Sequence, residues 1–330
     1  MEINLKSHMA TPVHLIDNLK KGFKDNEMDE EKMDLLMRTI KAVHSTADAE
    51  VLNVEELNKK RNATEQFSKL IAPKLQVKID DFMVADISCE LVTPGFPHRN
   101  DKVILYCHGG GYVSGGLGYA RILARKLANN TGLKVYSFEY RLAPENMYPA
   151  ALDDGMSVWN YLMLKGYGAK DIIIAGDSAG GNMALEMCLS LRKEERQLPG
   201  GLILFSPWTD MRACTSSYQT YKDKDPLLTY EYIVAVRDAY IGSDADPADE
   251  KYSPVMADFS GFPPTYIQVG SNEILRKDSE HLLKALKDKG VFAQIDVCKG
   301  GWHVYQQMPI HKATLAMEMV NEFIDNYLFK

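Results

Sequence analysis

The sequence predicts an α/β protein with a mostly parallel, eight-stranded sheet, helices on both faces of the sheet and a helical cap. Three observations predict this fold class. Short apolar runs and helical patterns alternate from about residue 100 to the C-terminus, with short loops between them. Residues 1–75 contain helical patterns and no strand pattern. Residues 208–262 interrupt the alternation, because they are rich in Asp, Tyr, Ser and Pro and contain one helical stretch, at 230–240.

The predicted strands begin with an alternating pattern and continue as buried runs. Residues 76–94 alternate apolar and polar side chains, which is typical of antiparallel strands at a sheet edge, and Asp80-Asp81 predicts the turn between two of them. Residues 103–107 are almost continuously apolar, which indicates a strand buried on both faces. Five further strands are predicted at residues 134–138, 172–175, 202–205, 266–269 and 293–297.

The predicted helices separate these strands, so most neighbouring strands should run parallel. Helical stretches are predicted at residues 120–129, 150–164, 183–189, 277–289 and 314–328. Ligands of such sheets bind outside the carboxyl ends of the strands. We therefore expect functional residues in the loops that follow the strands.

The cap is predicted from two segments that lack strands. Residues 1–75 form its N-terminal helical part, with apolar residues at helical spacing over 28–43 and with Asn53 predicted to cap the next helix. An insertion at about residues 208–262 forms the rest, because an insertion of this length usually arches over the active edge of the sheet. Residues 76–330 are the predicted catalytic domain. The alternatives for the N-terminal segment are an independent module or a helical extension that only covers the surface.

Composition and charge narrow the class of protein. The chain has 330 residues, of which 45% are hydrophobic and 25% charged, as in ordinary globular proteins. The net charge of -7 argues against nucleic acid as a partner. The five cysteines are odd in number and lack a Cys-x-x-Cys pair, which argues against a disulfide framework or a structural zinc site. With no signal-peptide pattern and no membrane-spanning apolar stretch, the expectation is a cytoplasmic protein without a membrane span.

The glycine-rich turn after the strand at 172–175 is the central motif of the chain. Gly176-Asp177-Ser178-Ala179-Gly180 follows a β-branched run and precedes a helical pattern. In this context the motif is typical of a nucleophile elbow, in which a strained turn holds the serine hydroxyl clear of the sheet. Free N–H groups and the helix dipole favour an anion beside it. Ser178 is therefore the predicted nucleophile. The alternative is a turn whose serine only caps a helix.

A serine nucleophile needs a base, and the base needs a carboxylate that orients it. After a serine on such a turn, the acid and then the histidine follow in chain order. Of the eight histidines, only His303 and His311 lie late enough in the chain. His303 follows two glycines in the loop after the last strand, so it is the predicted base. An exposed loop histidine without a catalytic role is the alternative.

The acid should lie at the end of the preceding strand. Glu273 follows the strand at 266–269 and is the predicted acid, because it can reach His303 from the neighbouring strand end. Asp278 is the second candidate, but it lies in the following helix. A carboxylate near the N-terminus of a helix interacts favourably with the helix dipole, so Asp278 has a structural explanation as well. Asp258, in the predicted cap, is the third.

Acyl transfer also needs N–H donors that stabilise the negative oxygen of the tetrahedral intermediate. The glycines of His108-Gly109-Gly110-Gly111 directly follow a buried strand and let the backbone turn its N–H groups toward a ligand. We expect an oxyanion hole formed by the N–H groups of Gly110, Gly111 and Ala179. Taken alone, the glycine run would also fit a flexible loop between a strand and a helix.

These motifs together resemble the hormone-sensitive lipase family of α/β-hydrolases, also called the bacterial family IV esterases. The resemblance is carried first by the glycine loop and the nucleophile turn, and it extends from about residue 100 to the C-terminus. The other matching stretches are residues 140–145, 148–154, 270–275 and 301–303. Residues 1–75 match the family only as a helical N-terminal segment of about the right length.

The resemblance implies an α/β-hydrolase fold and a serine carboxylesterase that hydrolyses short-chain acyl esters through an acyl-enzyme, without a cofactor or metal. It implies Ser178 as nucleophile, His303 as base and Glu273 as acid. The family usually has Asp at the acid position, and the longer Glu side chain can still reach the imidazole. The resemblance also implies that Gly110, Gly111 and Ala179 donate to the oxyanion, that the region of Arg141 and Glu145 is an ion-paired scaffold, and that a homodimer can form through the last strand and helix.

Three other functions compete with this one. Gibberellin receptors of plants resemble the family but lack the catalytic histidine, so His303 argues against a ligand-binding receptor. A hydrolase of amides, formyl groups or lactones would use the same residues, because the fold does not determine the substrate. A structural protein with a vestigial site would have no need for a nucleophile, a base, an acid and an oxyanion loop together. Four aromatic residues near the predicted site suit either a cap-lined pocket or cap-to-core packing: Tyr112, Trp208, Tyr218 and Tyr221.

Overall fold

A computed structural model describes residues 53–328, and the structural statements below concern those residues. The helix predicted over residues 28–43 lies outside them. Asn53 immediately precedes the first described helix, and its side-chain oxygen accepts a hydrogen bond of 2.9 Å from the Glu55 N–H. The predicted capping role of Asn53 is therefore confirmed.

The strands form one eight-stranded sheet in the order β1-β2-β4-β3-β5-β6-β7-β8. The first two strands pair antiparallel with their neighbours, and all other pairs are parallel. The predicted fold class is thereby confirmed. The strands are Val77–Val84 (β1), Ile87–Pro94 (β2), Val103–Cys107 (β3), Lys134–Phe138 (β4), Ile172–Asp177 (β5), Gly201–Phe205 (β6), Thr265–Gly270 (β7) and Ala293–Cys298 (β8).

The turn predicted at Asp80-Asp81 is wrong. Both residues lie inside β1, and the chain reverses at Ala85 and Asp86 instead. Ala85 has a φ of 51°, the left-handed conformation that a tight turn often requires. The two adjacent carboxylates are tolerated in a strand because β1 is the edge of the sheet, where charged side chains remain in contact with water and also discourage pairing with another chain.

Helices cover both faces of the sheet. Successive residues of a buried strand point to opposite faces, so β5 directs Ile174 into one core and Ile173 into the other. The helices are Val54–Ile71 (α1), Leu117–Thr131 (α2), Ala150–Leu164 (α3), Ala179–Lys193 (α4), Ser217–Thr220 (α5), Tyr230–Ile241 (α6), Arg276–Asp288 (α7) and His311–Phe323 (α8). The first core includes residues of α3, α4 and α7, and the second includes residues of α2 and α8.

The sheet has a topological switch point beside β3. The chain passes from β3 to β4 on one side and then returns to β5 on the other. In open α/β sheets, the helices on the two sides of a switch point leave a crevice at the carboxyl ends of the strands, where ligands bind. The loops after β3, β5, β6, β7 and β8 therefore meet at one edge of the sheet.

The segments predicted as a cap contribute helices around this edge. Between β6 and β7 the described chain has no strand, and it contains α5 and α6. From α1, Arg61 donates to the Val113 carbonyl at 2.7 Å and pairs with Glu145. Arg141 pairs instead with Asp154, so the predicted scaffold consists of two separate ion pairs.

The division of the chain into cap and catalytic domain stays a prediction. None of the helices within residues 53–328 has both the length and the apolar character needed to cross a membrane.

Candidate active site

Ser178 occupies a strained turn between β5 and α4. Its φ of 53° and ψ of -118° lie outside the regions that residues with a side chain normally adopt. A Cβ atom on Gly176 would lie 2.2 Å from the Gly180 carbonyl oxygen, and one on Gly180 would lie 2.1 Å from the Cys107 carbonyl oxygen. Both flanking positions therefore require glycine. The turn places Ser178 at the N-terminus of α4, where the helix dipole favours negative charge.

The glycine loop after β3 has the backbone conformation expected of an oxyanion hole. Gly110 and Gly111 have φ values of 113° and 63°, which favour glycine. Within the described residues, the N–H groups of Gly110, Gly111 and Ala179 have no hydrogen-bond acceptor, whereas the Gly109 N–H donates to Asp177. A ligand would therefore displace no protein acceptor from these N–H groups, and their role as oxyanion donors stays a prediction.

Asp177 fastens the glycine loop to the nucleophile turn. Its fully buried carboxylate accepts hydrogen bonds from the Tyr106 hydroxyl at 2.5 Å, the Tyr119 hydroxyl at 2.7 Å and the Gly109 N–H at 2.9 Å. Because Asp177 directly precedes Ser178, these bonds fix Ser178 relative to the glycine loop. The sequence reasoning assigned no role to Asp177. Its position inside the glycine-rich motif was the only feature of the sequence that could have indicated a role in the site.

His108 supports the same loop as a neutral side chain. Burial lowers the pKa of His108 to about 4, so the imidazole is uncharged at neutral pH. Its Nδ1 lies 2.7 Å from the Gly109 carbonyl oxygen, which can only accept, so Nδ1 carries the proton. The ring stacks on Tyr140 with 4.1 Å between the ring centroids. These contacts hold the imidazole against the loop, in agreement with the prediction that His108 orients it.

His303 and Glu273 come together at the ends of β8 and β7. His303 Nδ1 lies 3.7 Å from Glu273 Oε2, and both side chains are buried. Burial by itself lowers the pKa of His303, but Glu273 and two further buried carboxylates, Asp225 and Asp177, outweigh it and raise the pKa. The distance exceeds that of a hydrogen bond. Catalytic hydrogen bonds are often long in unliganded enzymes and tighten in the complex with substrate.

Ser206, directly after β6, connects Glu273 with the loop that carries His303. Its hydroxyl donates to Glu273 Oε2 at 2.9 Å and accepts from the Val304 N–H at 3.1 Å. Ser206 and Val304 both have positive φ values, of 45° and 49°, which are rare for residues with a side chain. This bridge holds the carboxylate of the longer glutamate side chain beside His303. Sequence reasoning missed Ser206, although its place directly after a buried strand was a usable signal.

The two other candidate acids have partners other than His303. The buried carboxylate of Asp278 accepts from Thr215 Oγ1 at 3.2 Å and from the Tyr218 hydroxyl at 3.4 Å. Asp258 pairs with Lys289 at 3.0 Å on the surface, and His311 is exposed at the start of α8. The structure brings His303 together with Glu273, the first-ranked acid, and the ranking of the catalytic roles stays a prediction. No three metal-ligating side chains within residues 53–328 are arranged to hold a metal ion.

The aromatic residues named from the sequence contribute to packing. Tyr112 stacks on Tyr240 of α6 with 3.7 Å between ring centroids, and its hydroxyl donates to Asn182 at 2.7 Å. Trp208 and Tyr218 are almost completely buried. Tyr112 therefore joins the predicted catalytic domain to a helix of the predicted cap, and Tyr218 joins that cap to Asp278 through its hydroxyl. Tyr221 is half-buried and receives a hydrogen bond from Arg276.

We expect Glu273→Gln to lower kcat by about 10³- to 10⁴-fold, because the neutral amide cannot stabilise the imidazolium. The amide can also donate a hydrogen bond to the imidazole and so stabilise the tautomer that cannot accept the serine proton. Hydrolysis of p-nitrophenyl acetate measures the effect. Asp278→Asn is the matched control, since it changes the second candidate acid in the same way. A small loss in Glu273→Gln together with a large loss in Asp278→Asn would transfer the role of the acid to Asp278.

Glu186 is an unusual feature beneath the site, one helical turn after Asn182. It is 2% exposed, and within the described residues neither of its carboxyl oxygens has a hydrogen-bond partner. Burial raises the pKa of Glu186 well above its usual 4.5, so the folded protein keeps a proton that the unfolded chain loses as the pH rises past that value. The free energy of unfolding should therefore fall with rising pH in this window.

We expect Glu186→Met to raise the free energy of unfolding by about 1–3 kcal/mol at neutral pH, because an apolar side chain of similar length replaces an unpaired buried carboxyl. The gain should be larger at about pH 8 than at about pH 4, where the wild-type carboxyl is protonated in both states. Urea unfolding at both pH values measures it. Glu318→Met, at an exposed position of α8, is the control. A gain that is independent of pH would contradict the explanation.

Comparison with known proteins places this geometry in a family. A family model described as the α/β-hydrolase fold matches residues 104–307, more than half of the chain. An esterase of Acinetobacter venetianus is 37% identical over 205 residues, which cover 62% of this chain and 68% of that protein. An acetyl-hydrolase of Streptomyces hygroscopicus is 30% identical over 265 residues, or 79% of this chain and 86% of that protein.

A solved structure agrees with the fold and with the family that the sequence resembles. The crystal structure of an esterase from the bacterial hormone-sensitive lipase family has a TM-score of 0.79 and 30% sequence identity to this chain. The match covers 82% of this chain and 92% of that one. The resemblance identified from the sequence is thereby confirmed: the chain belongs to the hormone-sensitive lipase family of α/β-hydrolases.

Proposed function

We propose that the protein is a serine carboxylesterase that hydrolyses short-chain acyl esters through Ser178, His303 and Glu273. Its class as a carboxylic ester hydrolase follows from its family and from relatives that are named esterase and acetyl-hydrolase. One observation carries the proposal. A serine on a strained turn, with free N–H donors beside it, shares the carboxyl edge of the sheet with a buried histidine–carboxylate pair.

In the proposed mechanism, Ser178 Oγ attacks the ester carbonyl while His303 Nε2 takes the hydroxyl proton. The carbonyl oxygen becomes negative and is stabilised by the N–H groups of the oxyanion hole. His303 then gives its proton to the leaving alcohol, and an acyl-serine remains. Water attacks this acyl group with His303 again as base, so that the acid is released and the serine hydroxyl restored. Glu273 stays ionised throughout and stabilises the imidazolium.

The preference for short acyl groups is supported by the closeness of α6 to the oxyanion loop. A Cβ atom on Gly111 would lie 3.2 Å from Val236 Cγ2 and 3.3 Å from the Tyr232 hydroxyl. Side chains of the predicted cap therefore contact the backbone that would hold the substrate carbonyl. The name of the Streptomyces relative, acetyl-hydrolase, agrees with a small acyl group.

The test of this proposal is the hydrolysis of p-nitrophenyl esters from acetate to palmitate, with p-nitroacetanilide and a lactone alongside. We expect the rate to peak at the short esters. Hydrolysis of only the anilide or the lactone would support the related amide or lactone hydrolase. A folded protein that hydrolyses none of these substrates and is not labelled by an organophosphate would favour the receptor-like alternative.

We further propose a cytoplasmic homodimer. All five cysteines are free thiols, which suits a reducing compartment.

The edge strand β8 and the helix α8 expose apolar side chains at Val297, Leu315 and Met319, where the family resemblance implies a dimer interface. Light scattering of the purified protein distinguishes a dimer from a monomer.

A further inference from the structure

Asp225 is a buried carboxylate of the predicted cap that joins the cap to the loop of the acid. It lies between β6 and β7 and has no exposed surface. Its Oδ1 accepts from the Leu227 and Leu228 N–H groups, each at 2.9 Å. Its Oδ2 accepts at 2.9 Å from the N–H of Ile274, the residue that directly follows Glu273. A single side chain thus shapes its own turn and tethers the backbone beside the acid.

The hydrogen-bond pattern of Asp225 favours its ionised form. Three N–H groups point at its two oxygens, and an ionised carboxylate, which only accepts, suits this arrangement better than a protonated acid does. Burial raises the pKa of Asp225 above its usual value, and His303 and the three N–H groups offset only part of this rise. A negative charge held here reaches His303 through a buried region, where solvent screens little.

We propose that Asp225 is a positioning residue of the catalytic triad, which fixes the Glu273 loop and adds a negative charge that favours the imidazolium of His303. The inference rests on the proposed function, because it assumes His303 as the base. Three buried carboxylates act on His303: Glu273 from the end of β7, Asp177 from the nucleophile turn and Asp225 from the cap. The cap therefore contributes to the reaction as well as covering the site.

Asp225→Asn tests the proposal, because it removes the charge with little change in shape. We expect kcat for p-nitrophenyl acetate to fall about 10- to 100-fold through misplacement of the acid. KM should stay within about twofold. The base must be neutral to accept a proton, so activity rises with pH through the pKa of His303. Without the charge of Asp225, this acidic limb of kcat/KM should move down by about one pH unit.

The control is Asp223→Asn, which removes an exposed carboxylate two residues earlier in the same segment and should leave both quantities unchanged. Active-site titration with an organophosphate expresses kcat per working site, so partial misfolding does not imitate the effect. Asp225→Glu keeps the charge, and its acidic limb should stay at the wild-type pH even if kcat falls. If Asp225→Asn does not fold, Asp225→Ser removes the charge, leaves an acceptor oxygen for the turn and carries the same expectation.

Two results would overturn the inference. One is a kcat equal to that of the wild type. The other is a lower kcat with the acidic limb unmoved, which would reduce Asp225 to a structural anchor of the cap. Both require an active wild type, so they differ from a failure of the proposed function, in which the wild type neither hydrolyses esters nor reacts with the organophosphate.

Discussion

Ser178→Ala is expected to lower kcat for p-nitrophenyl acetate by about 10⁵- to 10⁶-fold, because no other group can form the acyl intermediate. The hydroxyl lies on a turn that the protein holds in a strained conformation, with φ at 53°. Such strain persists only where the surrounding structure enforces it. Alanine removes the nucleophile and leaves the oxyanion donors. The rate of hydrolysis with the variant should therefore stay above the rate of uncatalysed hydrolysis in water.

Steady-state hydrolysis and labelling by an organophosphate measure this loss together. Ser190→Ala, a change of the same kind further along α4, is the matched control and should keep wild-type activity. Burst kinetics of the wild type should show the acyl-enzyme accumulating, and the burst should disappear in Ser178→Ala. Turnover close to wild type in Ser178→Ala would remove Ser178 from the mechanism.

His303→Ala is expected to lower kcat by a similar factor, about 10⁵- to 10⁶-fold, because the serine loses the base that takes its proton. Since the three residues act as a unit, the double variant Ser178→Ala/His303→Ala should be hardly slower than either single variant. In the wild type, kcat/KM should rise with pH through the pKa of His303, which the neighbouring carboxylates raise above the usual 6.5.

His311→Ala provides the control for this second prediction. His311 is the other late histidine of the chain and is exposed at the start of α8. Its replacement should leave kcat and the pH profile unchanged. The assignment of the base would fail if the two variants exchanged their effects, or if His303→Ala kept a wild-type pH profile.

The apolar strand runs and the glycine motifs made the fold and much of the site predictable. Strands buried on both faces need continuous apolar sequences, so β3 and β4 were predicted with their observed ends. The prediction failed at β1, where the pattern Asp80-Asp81 indicated a turn. An edge strand has one side open to water, and its local sequence then carries no information about whether the chain turns or continues.

The partners of the supporting residues were not predictable from local pattern. Ser206, Asp177 and Asp225 lie in chain segments far apart from Glu273 and His303, and nothing in their flanking residues indicates their partners. Their roles arise because parallel strands bring their carboxyl ends to one edge and because a segment of the predicted cap folds back onto that edge. Hydrogen bonds between such distant segments depend on the packing of the whole sheet.

The sequence by itself determined the sheet with its helices and the turn that carries Ser178. It also predicted that His303 and Glu273 lie together, as they do in the structure, and their catalytic roles stay predictions. These follow from short-range rules: side-chain periodicity, the conformational freedom of glycine and the order of residues after each strand. Only the tertiary structure decided that Glu273 is held by Ser206, that Asp177 fastens the glycine loop and that Asp225 joins the cap to the acid. The physical reason is that the electrostatic environment of a buried histidine depends on every carboxylate that folding brings near it, whatever the distance along the chain.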